Sequence, residues 1–328
     1  MPARCFLFAC LVVGCRPADP PAPLAWRSVN HLPEARSKAA SVTLGKYIYF
    51  LGGLTGENGT DPALSQKVSD RVDRLEVASG TWSVGPPLPA ECPKHHLAVT
   101  TVGGKIYILG GYVGSHADVG GIRTAASTWV LDDAGWRRLA DQPIARSGAA
   151  AQAIGTKIYV AGGGTDELSG VTDLYAYDPA ADRWVQLRSM TAPRSHVASC
   201  ALGGRLVVAG GWTKNGSDVS TSAAAEMYDP ASDTWESLPD MPTARGSAGS
   251  AVIGDTCFVI GGFRWSPPMA FAVTEGFSSA SRTWSTFAPL TSPRQAMGTT
   301  AFGDSIYALG GSPQPGDGYV DFVDVLSR

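Results

Sequence analysis

Six short apolar runs recur along the chain, YIYFL, KIYIL, KIYVA, RLVVA, CFVI and SIYAL, and each is cut off by a glycine pair. The pairs are Gly52-Gly53, Gly110-Gly111, Gly162-Gly163, Gly210-Gly211, Gly261-Gly262 and Gly310-Gly311. A run without polar alternation suits a strand covered on both faces, and the glycines let the backbone turn or approach a neighbour closely. Ahead of each run lies a stretch of small apolar residues, such as Ala149 to Ile154 and Ala248 to Ile253, which fits a crowded inner position. The clearest copy, Ala145 to Leu187, adds a third strand from Asp173 to Tyr177, a turn at Asp178-Pro179 and a fourth strand holding Trp184. The pattern therefore predicts a unit of four short strands.

The glycine pairs are spaced by 58, 52, 48, 51 and 49 residues, a period that belongs to propeller blades. A basic residue lies 16 positions before each pair: Arg36, Lys94, Arg146, Arg194, Arg245 and Arg294. Tryptophans recur too, as Trp26, Trp82, Trp136, Trp184, Trp235 and Trp284. Trp26 precedes the first glycine pair, while the last pair is followed by one more strand, Tyr319 to Leu326, and no tryptophan. The expected repair is that Ala25 to Val29 supplies the fourth strand of the last blade, which closes the ring and removes exposed edges. The fold expected is all-β: a six-bladed propeller of four-stranded antiparallel blades over residues 25–328.

Together the glycine pair, the Tyr177-Asp178-Pro179 turn, the Trp and the Arg resemble the Kelch family from Trp26 to about Arg328. Blade two departs from the pattern with Lys94 for Arg and the turn Leu131-Asp132-Asp133, and a late turn reads Phe277-Ser278-Ser279. The resemblance implies that the repeated Arg partly serves to hydrogen-bond loop carbonyls between blades. It also implies that partner peptides bind at the entrances to the first strands and the adjacent loops.

Composition adds limits. Hydrophobic residues make up 44%, charged residues 17%, and there are 39 glycines, which suits short strands and turns. A net charge of −3 gives no reason to expect nucleic acid as a partner. The first 14 residues, with Arg4 and an apolar segment from Phe6 to Val13 too short to span a bilayer, look like an export signal. Leu11-Val12-Val13-Gly14-Cys15 resembles a bacterial lipobox, with Cys15 the lipidated residue and ordinary cleavage and release the alternative. Residues 15–24 then form a proline-rich tether. The expected location is the bacterial cell envelope, and the only membrane contact expected is a lipid at Cys15. Cys92, Cys200 and Cys257 occupy different places in the repeat, so no disulfide framework is expected.

The candidate chemistry sits on one face. The loops between second and third strands, Thr55 to Gln66, Tyr112 to Ile122 and Phe263 to Ala270, open on the face that bears the six basic residues. Those residues are expected to encircle one mouth of the channel, where converging positive charge would favour an anion. Lys38, His96 and His196, two positions further on, join the rim. Gln295, Tyr112, Trp212 and Trp265 also interrupt the repeat, and aromatics beside hydrogen-bonding groups suit a sugar or peptide ligand. The expected function is a binding module, acting as a monomer, for a protein, peptide or acidic carbohydrate. The alternative is a sugar isomerase resembling the sialic acid mutarotases, with His96 or His196 as acid or base. Cys92, His95 and His96 lack a fourth ligand and no second cysteine stands near, so neither metal nor cofactor is expected.

Overall fold

The computed structural model describes residues 23–56, 66–115, 118, 121–166, 168–215, 218–314 and 318–328. The expected signal segment, Cys15, most of the tether and most of the Thr55 to Gln66 insertion lie outside the described residues. The six predicted blades are present as six four-stranded antiparallel sheets. Counted from the axis, blade one is built from Ala40–Leu44, Tyr47–Leu51, Val72–Glu76 and Thr81–Val84. Blade two has Ala98–Val102, Lys105–Val113, Arg123–Asp132 and Gly135–Leu139. Blade three follows with Ala150–Ile154, Lys157–Ala161, Leu174–Asp178 and Arg183–Leu187. Blade four is Ala198–Leu202, Arg205–Ala209, Ala225–Asp229 and Thr234–Leu238. Blade five is Gly249–Ile253, Thr256–Ile260, Thr274–Ser278 and Thr283–Phe287. Blade six takes Gly298–Phe302, Ser305–Leu309 and Phe322–Ser327 from the end of the chain, and its outer strand, Ala25–His31, from the beginning.

The apolar second strands are buried on both faces because each blade packs against two others. Buried apolar clusters lie between blades at all six seams, such as Val42, Leu51, Ile106 and Trp129 between blades one and two. In blades two to five the outer-strand tryptophan clips the blade to the one before it. Trp136 Nε1 donates to Pro86 O (3.0 Å), Trp184 to Ala140 O (3.0 Å), Trp235 to Arg188 O (2.7 Å) and Trp284 to Pro239 O (2.8 Å).

The inner strand is an edge, and its free backbone groups need partners. Hydroxyls from the next blade supply several. Ser250 Oγ accepts from Ser199 N (3.1 Å) and donates to Ser199 O (2.8 Å), and Thr299 Oγ1 does the same for Ser250 N (2.7 Å) and Ser250 O (3.0 Å). Small polar residues are found there because they saturate the edge without filling the channel.

One expectation is overturned. Cys200 and Cys257 form a disulfide, with a Cα–Cα distance of 5.9 Å across 57 residues of sequence. Cys200 lies in the inner strand of blade four and Cys257 in the second strand of blade five, so their different places in the repeat bring them face to face across a seam. Cys92 is a buried free thiol whose pKa burial pushes up to about 12, which leaves it unreactive.

The insertions carry short hairpins of their own on the mouth face. Leu54–Thr55 pairs with Lys67–Val68, Trp212–Asn215 with Asp218–Thr221, and Phe263–Arg264 with Met269–Ala270.

Candidate functional site: the channel mouth

The residue after each repeated basic residue forms a backbone bridge to the residue after the glycine pair: Ser37 to Leu54, His95 to Tyr112, Ser147 to Gly164, Ser195 to Trp212, Gly246 to Phe263 and Gln295 to Ser312. The next residue then swings into the left-handed region, at Lys38 (φ 58°), His96 (50°), Gly148 (56°), His196 (53°), Ser247 (52°) and Ala296 (51°). Non-glycine residues rarely adopt this conformation, and a shared hydrogen-bonded collar holds them in it. Lys38 N donates to Ala296 O (2.7 Å), His96 N to Lys38 O (2.9 Å), Gly148 N to His96 O (3.2 Å), Ser247 N to His196 O (2.9 Å) and Ala296 N to Ser247 O (2.9 Å). These six residues, not the arginines, line the mouth of the channel.

The expectation of an open cationic ring is therefore corrected. Arg36, Arg146, Arg194, Arg245 and Arg294 are at most 1% exposed. Four of them donate to the carbonyl of the first glycine of their own pair: Arg36 to Gly52 (2.8 Å), Arg146 to Gly162 (2.9 Å), Arg194 to Gly210 (3.1 Å) and Arg294 to Gly310 (3.2 Å). Arg245 instead reaches Thr243 O (2.7 Å) and Val259 O (2.9 Å). Buried carboxylates on the third strands balance the charge: Asp73 with Arg36, Glu226 with Arg194 (2.5 Å), Glu275 with Arg245 (2.5 Å) and Asp324 with Arg294. Desolvation lowers the arginine pKa values, to about 10 for Arg36 and Arg146, which still leaves them charged at neutral pH. In blade three the carboxylate position is Tyr175, and the Arg146 guanidinium lies 5.3 Å from its ring centroid. In blade two the basic residue is Lys94, which donates to Leu88 O (3.1 Å) and Pro89 O, and burial lowers its pKa.

The other predicted residues are brought together in part. His95, His96, His196, Tyr112 and Trp212 make a continuous ring cluster beside the mouth. His96 lies 5.0 Å from His196 and 5.2 Å from Tyr112 between ring centroids, and His196 lies 4.3 Å from Trp212. His95 Nδ1 meets His96 Nδ1 at 2.8 Å, and His95 Nε2 meets the Gly114 carbonyl at 2.7 Å. That carbonyl can only accept, so His95 carries its proton on Nε2, and in the neutral pair His96 Nδ1 is the donor to His95 Nδ1. Tyr112 and Trp212 are buried, and Tyr112 Oη donates to Asp166 O across the blade two to three seam (2.9 Å). Trp265 is 39% exposed and stacks edge-on against Trp212 and Phe263. Gln295 is buried on the far side of the mouth, where its Nε2 donates to Gln314 O (3.3 Å).

Residues 96–311 match the KLHDC2/KLHL20/DRC7 Kelch-repeats domain. The chain belongs to the Kelch-repeat family. It is similar to Kelch-like protein 34 of Homo sapiens, 25% identical over 249 residues that make up 73% of this chain and 37% of that protein. Kelch-like protein terF of Aspergillus terreus is 26% identical over 240 residues, 72% of this chain and 40% of its own length. Beta-scruin of Limulus polyphemus is 26% identical over 176 residues, 52% of this chain and 19% of that protein. The chain thus corresponds to well under half the length of these relatives.

Within this Kelch ring the acidic partners of the arginines are what sequence reasoning missed. Their signal was available: Asp73, Glu226, Glu275 and Asp324 all sit opposite the penultimate residue of the second strand.

His196 has a measurable consequence. Burial, reinforced by the positive field of Lys38 and by His95, lowers its pKa from 6.5 to about 3. The unfolded chain protonates this residue below about pH 6.5, and the folded protein does not until about pH 3. Its contribution to stability is therefore complete above pH 6.5 and is lost as the pH falls, by up to about 1.4 kcal/mol per pH unit. Urea melts at pH 7 and pH 4.5 should show a steeper loss for the unmodified protein than for His196→Gln. Equal losses would refute the assignment.

Proposed function

We propose that the chain is an exported, lipid-anchored Kelch binding module that holds a protein or peptide partner at the mouth face. The observation that carries this reading is the collar, where six blades repeat one backbone conformation while the side chains differ: Lys38, His96, Gly148, His196, Ser247 and Ala296. A uniform scaffold with varied side chains at a concave mouth is how repeat proteins present a specific surface. The exposed Trp265, backed by Trp212 and Phe263, adds the kind of aromatic anchor that dominates interfaces. Export is supported by the apolar N-terminal segment and, independently, by the Cys200–Cys257 disulfide, since such bonds persist in oxidising compartments. The mutarotase alternative is less favoured: the arginines that would anchor a sugar carboxylate are engaged inside the blades, and buried His196 is a poor base.

Random peptides displayed on phage and selected on the purified protein test the reading. Selected peptides should bind with an affinity that Lys38→Ala and Trp265→Ala reduce by about tenfold or more, whereas Val185→Ala on an outer strand should leave it unchanged. Selected peptides that ignore both mouth substitutions would overturn it. Added N-acetylneuraminate is the second probe, and accelerated anomer exchange by NMR would favour the isomerase instead. Cell fractionation separates the anchoring claim, because Cys15→Ala should move the protein from membrane to soluble fractions.

A further inference from the structure

The disulfide ties together the two strands whose ends carry the aromatic part of the mouth. Cys200 lies four residues after His196 on the inner edge of blade four, and Cys257 lies six residues before Phe263 on the second strand of blade five. Above it, the mouth's aromatic cluster straddles the same seam. The Trp212 ring of blade four packs on the backbone of Gly246 so closely that a Cβ there would come within 2.5 Å of Trp212 Nε1. It meets Phe263 of blade five at 6.0 Å and Trp265 at 5.4 Å, and Trp265 N donates back to Thr221 Oγ1 of blade four (3.4 Å). Two backbone bonds cross here as well, Gly211 N to Arg245 O (3.0 Å) and Ser247 N to His196 O (2.9 Å). The glycine-pair bond recurs at all five other seams and the collar bond at four of them, the exception being blade three to four, and among the described residues none of these seams has a covalent bond.

We propose that the Cys200–Cys257 disulfide holds the blade four to five side of the mouth in order, so that its redox state controls the aromatic cluster formed by Trp212, Phe263 and Trp265. Reduction converts the disulfide to two buried thiols, with two electrons and two protons delivered to the sulfurs. With a phosphine as reductant, the phosphorus takes oxygen from water and becomes the phosphine oxide. Reduction releases the crosslink without removing any side chain of the mouth. The loosening is local because each of the other five seams keeps its glycine-pair backbone bond and four of them keep a tryptophan hydrogen bond, from Trp136, Trp184, Trp235 and Trp26. Only the effect on ligand affinity rests on the mouth being a binding site.

Hydrogen exchange tests the proposal without any ligand. In the protein unfolded with phosphine and refolded reduced, and in a Cys200→Ala/Cys257→Ala variant, the amides of Gly211 and Ser247 should exchange about tenfold faster or more than in the oxidised protein. The counterpart amides at other seams, Gly163, Gly262 and Ala296, should change far less. In the oxidised protein alone, Gly211 and Ser247 should be the slowest of the set. Uniform acceleration at every seam, or no difference in the oxidised protein, would overturn the proposal. If exchange responds as expected and the selected peptides bind oxidised and reduced protein alike, the redox coupling stands and the binding role of this side of the mouth fails.

Discussion

Removing residues 24–31 should abolish the cooperative unfolding transition altogether. That segment is the outer strand of blade six, paired with the last strand of the chain from Ala25 opposite Ser327 to His31 opposite Phe322. It also reaches three blades. Trp26 Nε1 donates to Thr274 Oγ1 of blade five (3.0 Å), Ser28 Oγ to Asp324 Oδ1 within blade six (2.6 Å) and Asn30 Nδ2 to Gly80 O of blade one (2.8 Å). Losing it exposes a full strand edge and frees the ring at the one point where the two chain ends close it. Calorimetry should show no sharp endotherm for the truncated chain, and a melt superimposable on that of the full chain would sink the closure argument.

Glu226→Ala should be the costliest single substitution among the buried polar residues of blade four. Its carboxylate takes Arg194 Nη2 (2.5 Å) and Thr191 N (3.0 Å) in a site where both charged side chains are nearly inaccessible. Stripping one member of a buried pair leaves an uncompensated charge, at about 3–5 kcal/mol. The double replacement Arg194→Met/Glu226→Leu removes both charges and should cost much less. Blade three is the natural comparison, because Arg146 makes no ion pair among the described residues, Asp173 acting on it only at a distance, and Arg146→Met should be tolerated far better than Arg194→Met. Urea melts of the four variants give the answer, and equal losses for Arg146→Met and Arg194→Met would show that the acid contributes little.

The two expectations about the arginines differed in how far sequence could carry them. Periodicity located Arg36 and its counterparts and the closing strand, because glycine pairs, apolar runs and tryptophans recur at the same offsets in nearly every blade. The direction of each guanidinium depended on partners far along the chain. The carboxylates lie between 30 and 37 residues downstream, and a search confined to the neighbourhood of each arginine passes over them. The collar was half legible: Lys38, His96 and His196 were placed at the rim, while the left-handed backbone that puts them there has no residue signature, since only one of its six members is glycine. The disulfide was hidden for a related reason. Cys200 and Cys257 occupy non-equivalent positions in their repeats, so only the stacking of one blade on the next reveals that they face each other.

The closing strand also fixes the face by which the chain enters the ring. Ala25 lies opposite Ser327 at the end of blade six remote from the glycine pairs, so the chain enters the ring from the face opposite the collar. A proline-rich linker spans about 3 Å per residue. If Cys15 carries the proposed lipid, the face toward the bilayer is the one opposite the collar, and Lys38, His96 and Trp265 would face away from it, within reach of the proposed partner.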